Sequence, residues 1–337
     1  MSRPLRIAYV GNFNGVPYST ENDVRKAFEY LGHEVIQLQE NNITAGDIYN
    51  TILTPQAHIP PTKNVDLLLI TGTWDDAIPL ATWLDIVHDC ALKGIPTATL
   101  HLDTFWGTSR GGRQWWLAPM FHTAYIFTAD GDYPAEWKLL GKNHIWLPPA
   151  VRHDAVHIGK YREEYACDVA FVGSNGQGYH EDVWTYRKEL VDFLRQACQR
   201  NGWSFRNPGG ELDKSNAGKI ERGDDMNDFY ASAKVTVGDS LCLKKEQSKY
   251  WSDRVPEATG RGGFLIMPQI DELDKMYHYK LPMYDWGDFK GLEQMIKEYL
   301  ADDKARDQIT DATQEITAKG HTYAHRAQTI LEKVGLV

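Results

Sequence analysis

The stretch Tyr250–Pro268, YWSDRVPEATGRGGFLIMP, decides how this chain is read. Val255, Pro256 and Ala258 open a short helix and Gly260 breaks it. Arg261-Gly262-Gly263 then lead into the apolar run Phe264-Leu265-Ile266-Met267, the pattern of a buried strand. A short helix and a glycine turn ahead of a buried strand are expected to present backbone N–H groups and a positive dipole end to an anion. Arg254 and Arg261 add guanidinium forks suited to phosphate oxygens, and Glu257 is placed to accept from paired sugar hydroxyls. The same side chains would also make a surface salt-bridge cluster on an ordinary helix–turn–strand corner. The residues alone leave both readings open.

Outward from that stretch the second half repeats one grammar. Cys167–Val172 reads as a strand followed by Gly173-Ser174-Asn175-Gly176, then a helix over about 183–200. Trp203–Arg206 and Val235–Val237 read as strands, the latter ending in Gly238-Asp239-Ser240, and helices are predicted over 226–233, 292–300, 304–318 and 323–334. The first half opens with the strand Arg6–Val10 and the turn Gly11-Asn12-Phe13-Asn14-Gly15. A helix capped by Ser19 or Thr20 follows, with Val24, Ala27, Phe28 and Leu31 on one face, closed by Gly32. Further strands are predicted at 33–38, 65–70, 96–100, 125–128 and 145–147, with a helix over 80–93. The turn after the first strand is not GxGxxG, so the dinucleotide fingerprint is absent. Residues 104–116, rich in glycine and tryptophan, read as a mobile loop with aromatic walls.

These patterns predict an α/β chain of two Rossmann-like, doubly wound domains facing a central cleft. Residues 1–150 form the first, 151–320 the second, and a C-terminal helix over 321–337 is expected to pack back towards the first. Pro148-Pro149 mark the exit from the first domain. A length of 337 residues fits two cores, and 42% apolar with 24% charged residues is the composition of a water-soluble protein. The formal net charge of −10, with no basic run, disfavours extensive nucleic-acid contact and leaves room for a local cationic pocket. The cysteines Cys90, Cys167, Cys198 and Cys242 lack CxxC spacing, which fits reduced thiols and a cytoplasmic setting. No signal peptide and no membrane span are predicted.

Tyr250–Glu257 with Gly260-Arg261-Gly262-Gly263-Phe264 resembles the second-domain core of group 1 glycosyltransferases, in the spore-maturation (CgeB-like) branch with its phage-encoded members. Asp168–Ser174, Tyr230–Lys234 through Gly238-Asp239-Ser240, and His321-Thr322-Tyr323 with Arg326 continue the resemblance. His101-Leu102-Asp103 and Phe127–Gly131 extend it into the first half. The resemblance implies the GT-B fold and a nucleotide-sugar donor, with a UDP-sugar favoured, held by the second domain. It implies an acceptor held by the first, no bound metal and no tightly bound cofactor. Glu257 would then contact the donor ribose, and Gly260, Gly262 and Gly263 would form the turn beneath the diphosphate. Lys249 stands where many retaining relatives carry a second acid, so the stereochemical outcome is left open.

Transfer from such a donor needs charge stabilisation on the leaving diphosphate, expected from Arg254 with Arg261 or Lys249 and from amides near Gly262. It also needs a base for the acceptor hydroxyl, for which Asp103 is the first candidate and His101 the second. As alternatives, Asp103 caps a turn and His101 is a core histidine. Gly11, Asn12, Gly173, Ser174, Asn175, Asp239, Ser240, Tyr250 and Ser252 complete the expected donor contacts. His321 and His325, four apart, read as capping and packing residues. The acceptor is a protein, a saccharide, a small molecule or a modified base in phage DNA. A sugar-nucleotide epimerase and a non-catalytic nucleotide-sugar-binding protein are the rival readings.

Overall fold

The structure is a computed structural model that describes residues 3–14, 19–54, 62–72, 78–108, 114–173, 185–208, 220, 223–240 and 248–337. The chain divides into two compact units. One comprises Met1–Trp106, Gly111–Pro148 and Tyr323–Val337; the other comprises Gly107–Arg110 and Pro149–Thr322.

In the first unit β1 (Arg6–Gly11), α1 (Thr20–Tyr30) and β2 (Glu34–Gln39) form the opening strand–helix–strand crossover, with β1 and β2 parallel. Ser19 caps α1 by accepting from the Asn22 amide at 3.3 Å, and Gly32 at φ +86° ends it. They are followed by β3 (Leu67–Ile70), α2 (Leu80–Leu92), β4 (Thr97–His101), β5 (Tyr125–Thr128) and β6 (His144–Trp146). The sheet order is β2-β1-β3-β4-β5-β6, every pairing parallel. Parallel strands must return through crossovers, so β3 is covered on both faces and reads as four consecutive buried apolar residues, LLLI.

The second unit contributes β7 (Cys167–Ala170), α3 (Thr185–Asn201), β8 (Phe205–Arg206), α4 (Asp224–Ser232), β9 (Ala233–Val237), α5 (Arg254–Gly260), β10 (Leu265–Pro268) and β11 (Met283–Tyr284). Its sheet order is β8-β7-β9-β10-β11, again wholly parallel. Then come α6 (Phe289–Ala301), α7 (Asp303–Gly320) and α8 (Tyr323–Lys333). Val169, Phe171, Leu190, Leu194, Val235 and Ile266 are central to its core. The main stretch of this unit begins at Pro149 and ends at Thr322, and Val151 bridges to Thr322 in parallel register. The last helix, α8, belongs to the first unit, where it packs on α1 and Arg326 Nε donates to the Pro148 carbonyl at 2.6 Å.

Two sequence expectations are corrected here. The aromatics of 104–116 are not walls of a mobile loop. Among the described residues, Phe105, Trp106, Trp115 and Trp116 pack into the first core, with Trp115 edge-on to Trp106 at 5.0 Å and to Trp137 at 5.5 Å. Burying such large faces outweighs the entropy of leaving the segment loose.

The second correction concerns the glycine turn. Because β9 and β10 are parallel, α5 runs back across the sheet, and Gly260–Gly263 lie at the amino edge of the strands, away from the edge where α5 begins. These glycines answer to packing. A Cβ on Gly260 would come within 2.9 Å of Val151, one on Gly262 within 2.8 Å of Ile158, and one on Gly263 within 2.7 Å of Tyr230. Gly262 also needs φ +78°. The amides of Gly262 and Gly263 already donate to the Thr259 and Ala258 carbonyls, at 3.2 and 2.8 Å. Gly262→Ala is therefore expected to destabilise by about 2 kcal/mol and lower Tm by roughly 4–8 °C, read by calorimetry. An unchanged Tm would remove the packing explanation.

Candidate functional site

At the carboxyl edge of the second sheet, where open α/β sheets bind ligands, three charged side chains form one chain of contacts. Asp239, just past the end of β9, is 1% exposed. Its Oδ2 accepts from Arg187 Nε at 2.7 Å and its Oδ1 from Arg187 Nη2 at 3.2 Å and Arg254 Nη1 at 3.1 Å. Both guanidinium carbons lie 5.9 Å from the Phe171 ring centroid, within cation–π range. Burial pulls the Arg187 pKa down while Asp239 pushes it back up. Two cations share one anion, and Arg254 is the partly exposed member. Gly173 fits this arrangement: a Cβ there would lie 2.7 Å from Arg254 Nε, and its φ is +148°. Only a bare backbone lets the guanidinium lie against the strand end.

Arg187 was not singled out in the sequence, although the signal was there. It stands on α3 at the i, i+3, i+7 spacing of Leu190 and Leu194, an arginine in phase with a buried apolar stripe.

The start of α5 offers fewer backbone donors than its sequence suggested. The amides of Val255 and Glu257 donate to the Ser252 and Asp253 carbonyls, and Pro256 has no N–H. The side chain of Arg254 is then the principal cation there, with Ser252 Oγ accepting from its Nη1 at 3.3 Å. Ser240 Oγ donates to the Tyr250 carbonyl at 3.1 Å, which closes the base of the connection between β9 and α5.

Arg261 does not join Arg254. It is 1% exposed, donates from Nε to Glu257 Oε2 at 2.6 Å and from Nη1 to the Gly223 carbonyl at 3.0 Å, and also bonds Asn227. The expected diphosphate role for Arg261 is corrected to a clamp between α5 and α4, imposed because a buried guanidinium needs its donors matched. Glu257 is buried in the same pair. Ser174 and Asn175, with Lys244 and Lys245, lie outside the described residues. Lys249 is felt by Glu272, whose carboxyl is held low chiefly by Lys275.

The first sheet gathers a second group at its own carboxyl edge. Asn12 is tied to its neighbours: Gln39 Nε2 donates to its Oδ1 at 3.0 Å and Ser19 Oγ to its carbonyl at 3.4 Å. Gly11 lies close under α1, where a Cβ would meet Glu21 at 3.0 Å. His101 is buried, edge-on to Phe105 at 4.4 Å and Phe121 at 5.4 Å. Asp103 is half-buried two residues beyond β4. Next to it the structure adds Asp130, which was quoted in a motif but not taken as a site residue. It is 2% exposed at the end of β5, and burial raises its pKa to about 6. The Thr104 hydroxyl donates to its Oδ2, and the Asp132 amide to its Oδ1 at 3.2 Å.

Among the described residues, no group of three or more His, Cys, Asp or Glu is placed to hold a metal ion, and no helix is long and apolar enough to cross a membrane. His321 stacks on Tyr277 at 5.4 Å. Cys90, Cys167 and Cys198 are buried free thiols whose pKa burial raises to about 12.

The architecture matches solved structures over nearly its whole length. An alpha-glucosyltransferase in complex with UDP-glucose and DNA containing an abasic site superposes with a TM-score of 0.70 at 12% identity, covering 99% of this chain and 100% of that one. The same holds for an alpha-glucosyltransferase in complex with UDP and a 13-mer DNA containing a HMU base, with a TM-score of 0.67 at 12% identity and coverage of 99% and 100%. A structure described as trehalose-6-phosphate from E. coli bound with UDP-2-fluoro glucose gives 0.58 at 9% identity, covering 98% and 99%. These likenesses establish the GT-B fold. Among curated proteins, none is significantly similar in sequence. The family model described as glycosyl transferase-like matches residues 163–332, half of the chain and nearly all of the second unit. By that match the chain belongs to the glycosyl transferase-like family, and it is a glycosyltransferase of the GT-B fold.

Proposed function

We propose that the protein moves a sugar from a UDP-sugar to an acceptor hydroxyl, with the donor diphosphate at the carboxyl edge of the second sheet and the acceptor at that of the first. The observation that carries this reading is the Arg254 guanidinium, lying against Gly173 and fixed by Asp239 and Ser252. A guanidinium already held in place loses little freedom when it meets phosphate oxygens, so more of the interaction is available to the leaving group.

In the reaction the acceptor oxygen bonds the anomeric carbon as its proton passes to the Asp103 carboxylate. The bond from the anomeric carbon to the β-phosphate oxygen breaks, and its electron pair leaves with UDP, towards Arg254. Gly173, Ser252 and Arg254 serve the diphosphate in this reading, and Glu257 retains its candidacy for the ribose. Two similar structures hold UDP or UDP-glucose together with DNA, one of them with a HMU base. Duplex DNA carrying 5-hydroxymethyluracil is therefore the first acceptor to test, with the primary hydroxyl as nucleophile. The spore-maturation-like motif order supports the same branch of the family.

Arg254→Ala is expected to weaken UDP binding by about 10- to 100-fold, read by titration calorimetry, through loss of charge-assisted hydrogen bonds worth about 1.5–3 kcal/mol. Asp239 keeps Arg187, so the fold survives that change. Affinity equal to wild type for UDP and for the other nucleoside diphosphates would sink the donor assignment. Arg187→Met should lower Tm further than Arg254→Ala, because breaking a fully buried pair costs about 3–5 kcal/mol. Equal melting curves for the two variants would contradict that ranking. Asp103→Ala is expected to cut transfer to hydroxymethyluracil DNA by about 100-fold or more, with UDP affinity unchanged. Full transfer by this variant would rule out Asp103 as the base.

A further inference from the structure

We infer that Asp130 is a positioning residue for the acceptor side: its carboxylate, through Thr104, fixes the turn after β4 that carries Asp103. The inference rests on the assignment of Asp103 as the acceptor base.

Asp130 is anchored from behind. Thr128 Oγ donates to the Asp130 carbonyl at 2.8 Å, and that hydroxyl lies 2.8 Å from His144 Nε2 on β6. With the Thr128 proton directed at the carbonyl, His144 must supply its Nε2–H, the neutral tautomer with the proton on that nitrogen. Burial lowers the His144 pKa to about 4, which keeps the ring neutral. Trp146 Nε1 donates to the Ala129 carbonyl at 3.1 Å, and its ring covers Gly131, where a Cβ would meet it at 2.6 Å. The turn after β5 is thus held by β6, and Asp130 projects from a fixed base.

From there the carboxylate reaches one strand over. Thr104 is fully buried and follows Asp103 directly, and its hydroxyl donates to Asp130 Oδ2. Strands β4 and β5 are paired in register up to His101 and Thr128, and the Ala129 amide donates to the His101 carbonyl at 3.0 Å. Beyond that last rung the ladder stops. The Thr104–Asp130 contact takes over the task of aligning the two strand ends.

An aspartate is a costly way to anchor a turn in a buried place. Asparagine or a second threonine would bond Thr104 without burying a charge. The acids Asp132 and Glu136, on the segment following β5, raise the Asp130 pKa further after burial itself, and His144 brings no charge to offset them. The folded state therefore binds the Asp130 proton more tightly than the unfolded chain. Stability associated with this group is gained as pH falls through about 6 towards the ordinary aspartate range, and is lost above about 6. A charge retained against that cost marks a group that serves function, because the charged acceptor makes the stronger bond to the Thr104 hydroxyl.

The test compares wild type, Asp130→Asn, Thr104→Val and Thr104→Ser. Turnover of UDP-glucose with hydroxymethyluracil duplex DNA is measured between pH 5 and 8.5, together with UDP affinity and amide exchange protection over 102–106. Asp130→Asn and Thr104→Val should lower kcat about tenfold or more with UDP affinity unchanged, and lose protection in that turn. Thr104→Ser, which keeps the hydroxyl, should stay within about twofold of wild type. Asp130→Asn should melt higher than wild type at pH 8, with the difference shrinking by pH 5, and its rate should lack the limb that falls below about pH 6. Wild-type kcat, pH profile and exchange in both Asp130→Asn and Thr104→Val would overturn the inference. Loss of activity by Asp103→Ala in the same assay would show that the underlying assignment had survived it. If this DNA is not turned over, the exchange and melting measurements decide by themselves, because neither needs an acceptor.

Discussion

A buried carboxylate shared between two arginines governs the second unit. Asp239 is removed from water and would be strongly disfavoured alone. Arg187 below and Arg254 above it supply the compensation, and Phe171 lends both guanidinium groups a π face. Its position follows from the parallel sheet: Asp239 and Gly173 lie just beyond the carboxyl ends of the adjacent strands β9 and β7. Removing one arginine from this chain does not leave the same site with one contact fewer. It changes the charge on the edge and removes one of the two partners that compensate the buried carboxylate.

The first unit uses a different device at the corresponding edge. Thr104 donates to the Asp130 carboxylate, while Thr128 donates to the Asp130 backbone carbonyl and a neutral His144 bonds the Thr128 hydroxyl. One edge carries two guanidinium groups on a shared buried carboxylate. The other carries the buried Asp130 carboxylate, bonded by the Thr104 hydroxyl.

Element by element, local patterning carried a long way. Ser19 and Gly32 bracket α1, Tyr125–Thr128 is the strand expected, and the run of apolar residues at 67–70 could only be a covered strand. The helix Ala45–Ile52 was legible too but was not read: the Thr44–Asp47 capping box starts it, and Ala45, Ile48, Tyr49 and Ile52 fall at i, i+3, i+4, i+7. The site was less legible. Asp239 and Gly173 were named from their places after strands and Arg254 from the short helix before the glycine turn, and the three do come together. Arg261 and the glycines beside it were grouped with them because they are near in sequence, and the structure places them at the other edge.

Composition, capping and the alternation of apolar runs with helical stripes therefore determined the class of fold and the order of its elements. Which arginine lies beside Asp239 at the carboxyl edge and which one braces a helix was decided only by tertiary structure. Arg254 and Arg261 stand seven residues apart, at the two ends of one short helix. A helix crossing a parallel sheet delivers its ends to opposite edges, so identical side chains meet solvent at one and a closed interior at the other. Sequence spacing records the length of that helix but not the direction in which it crosses the sheet.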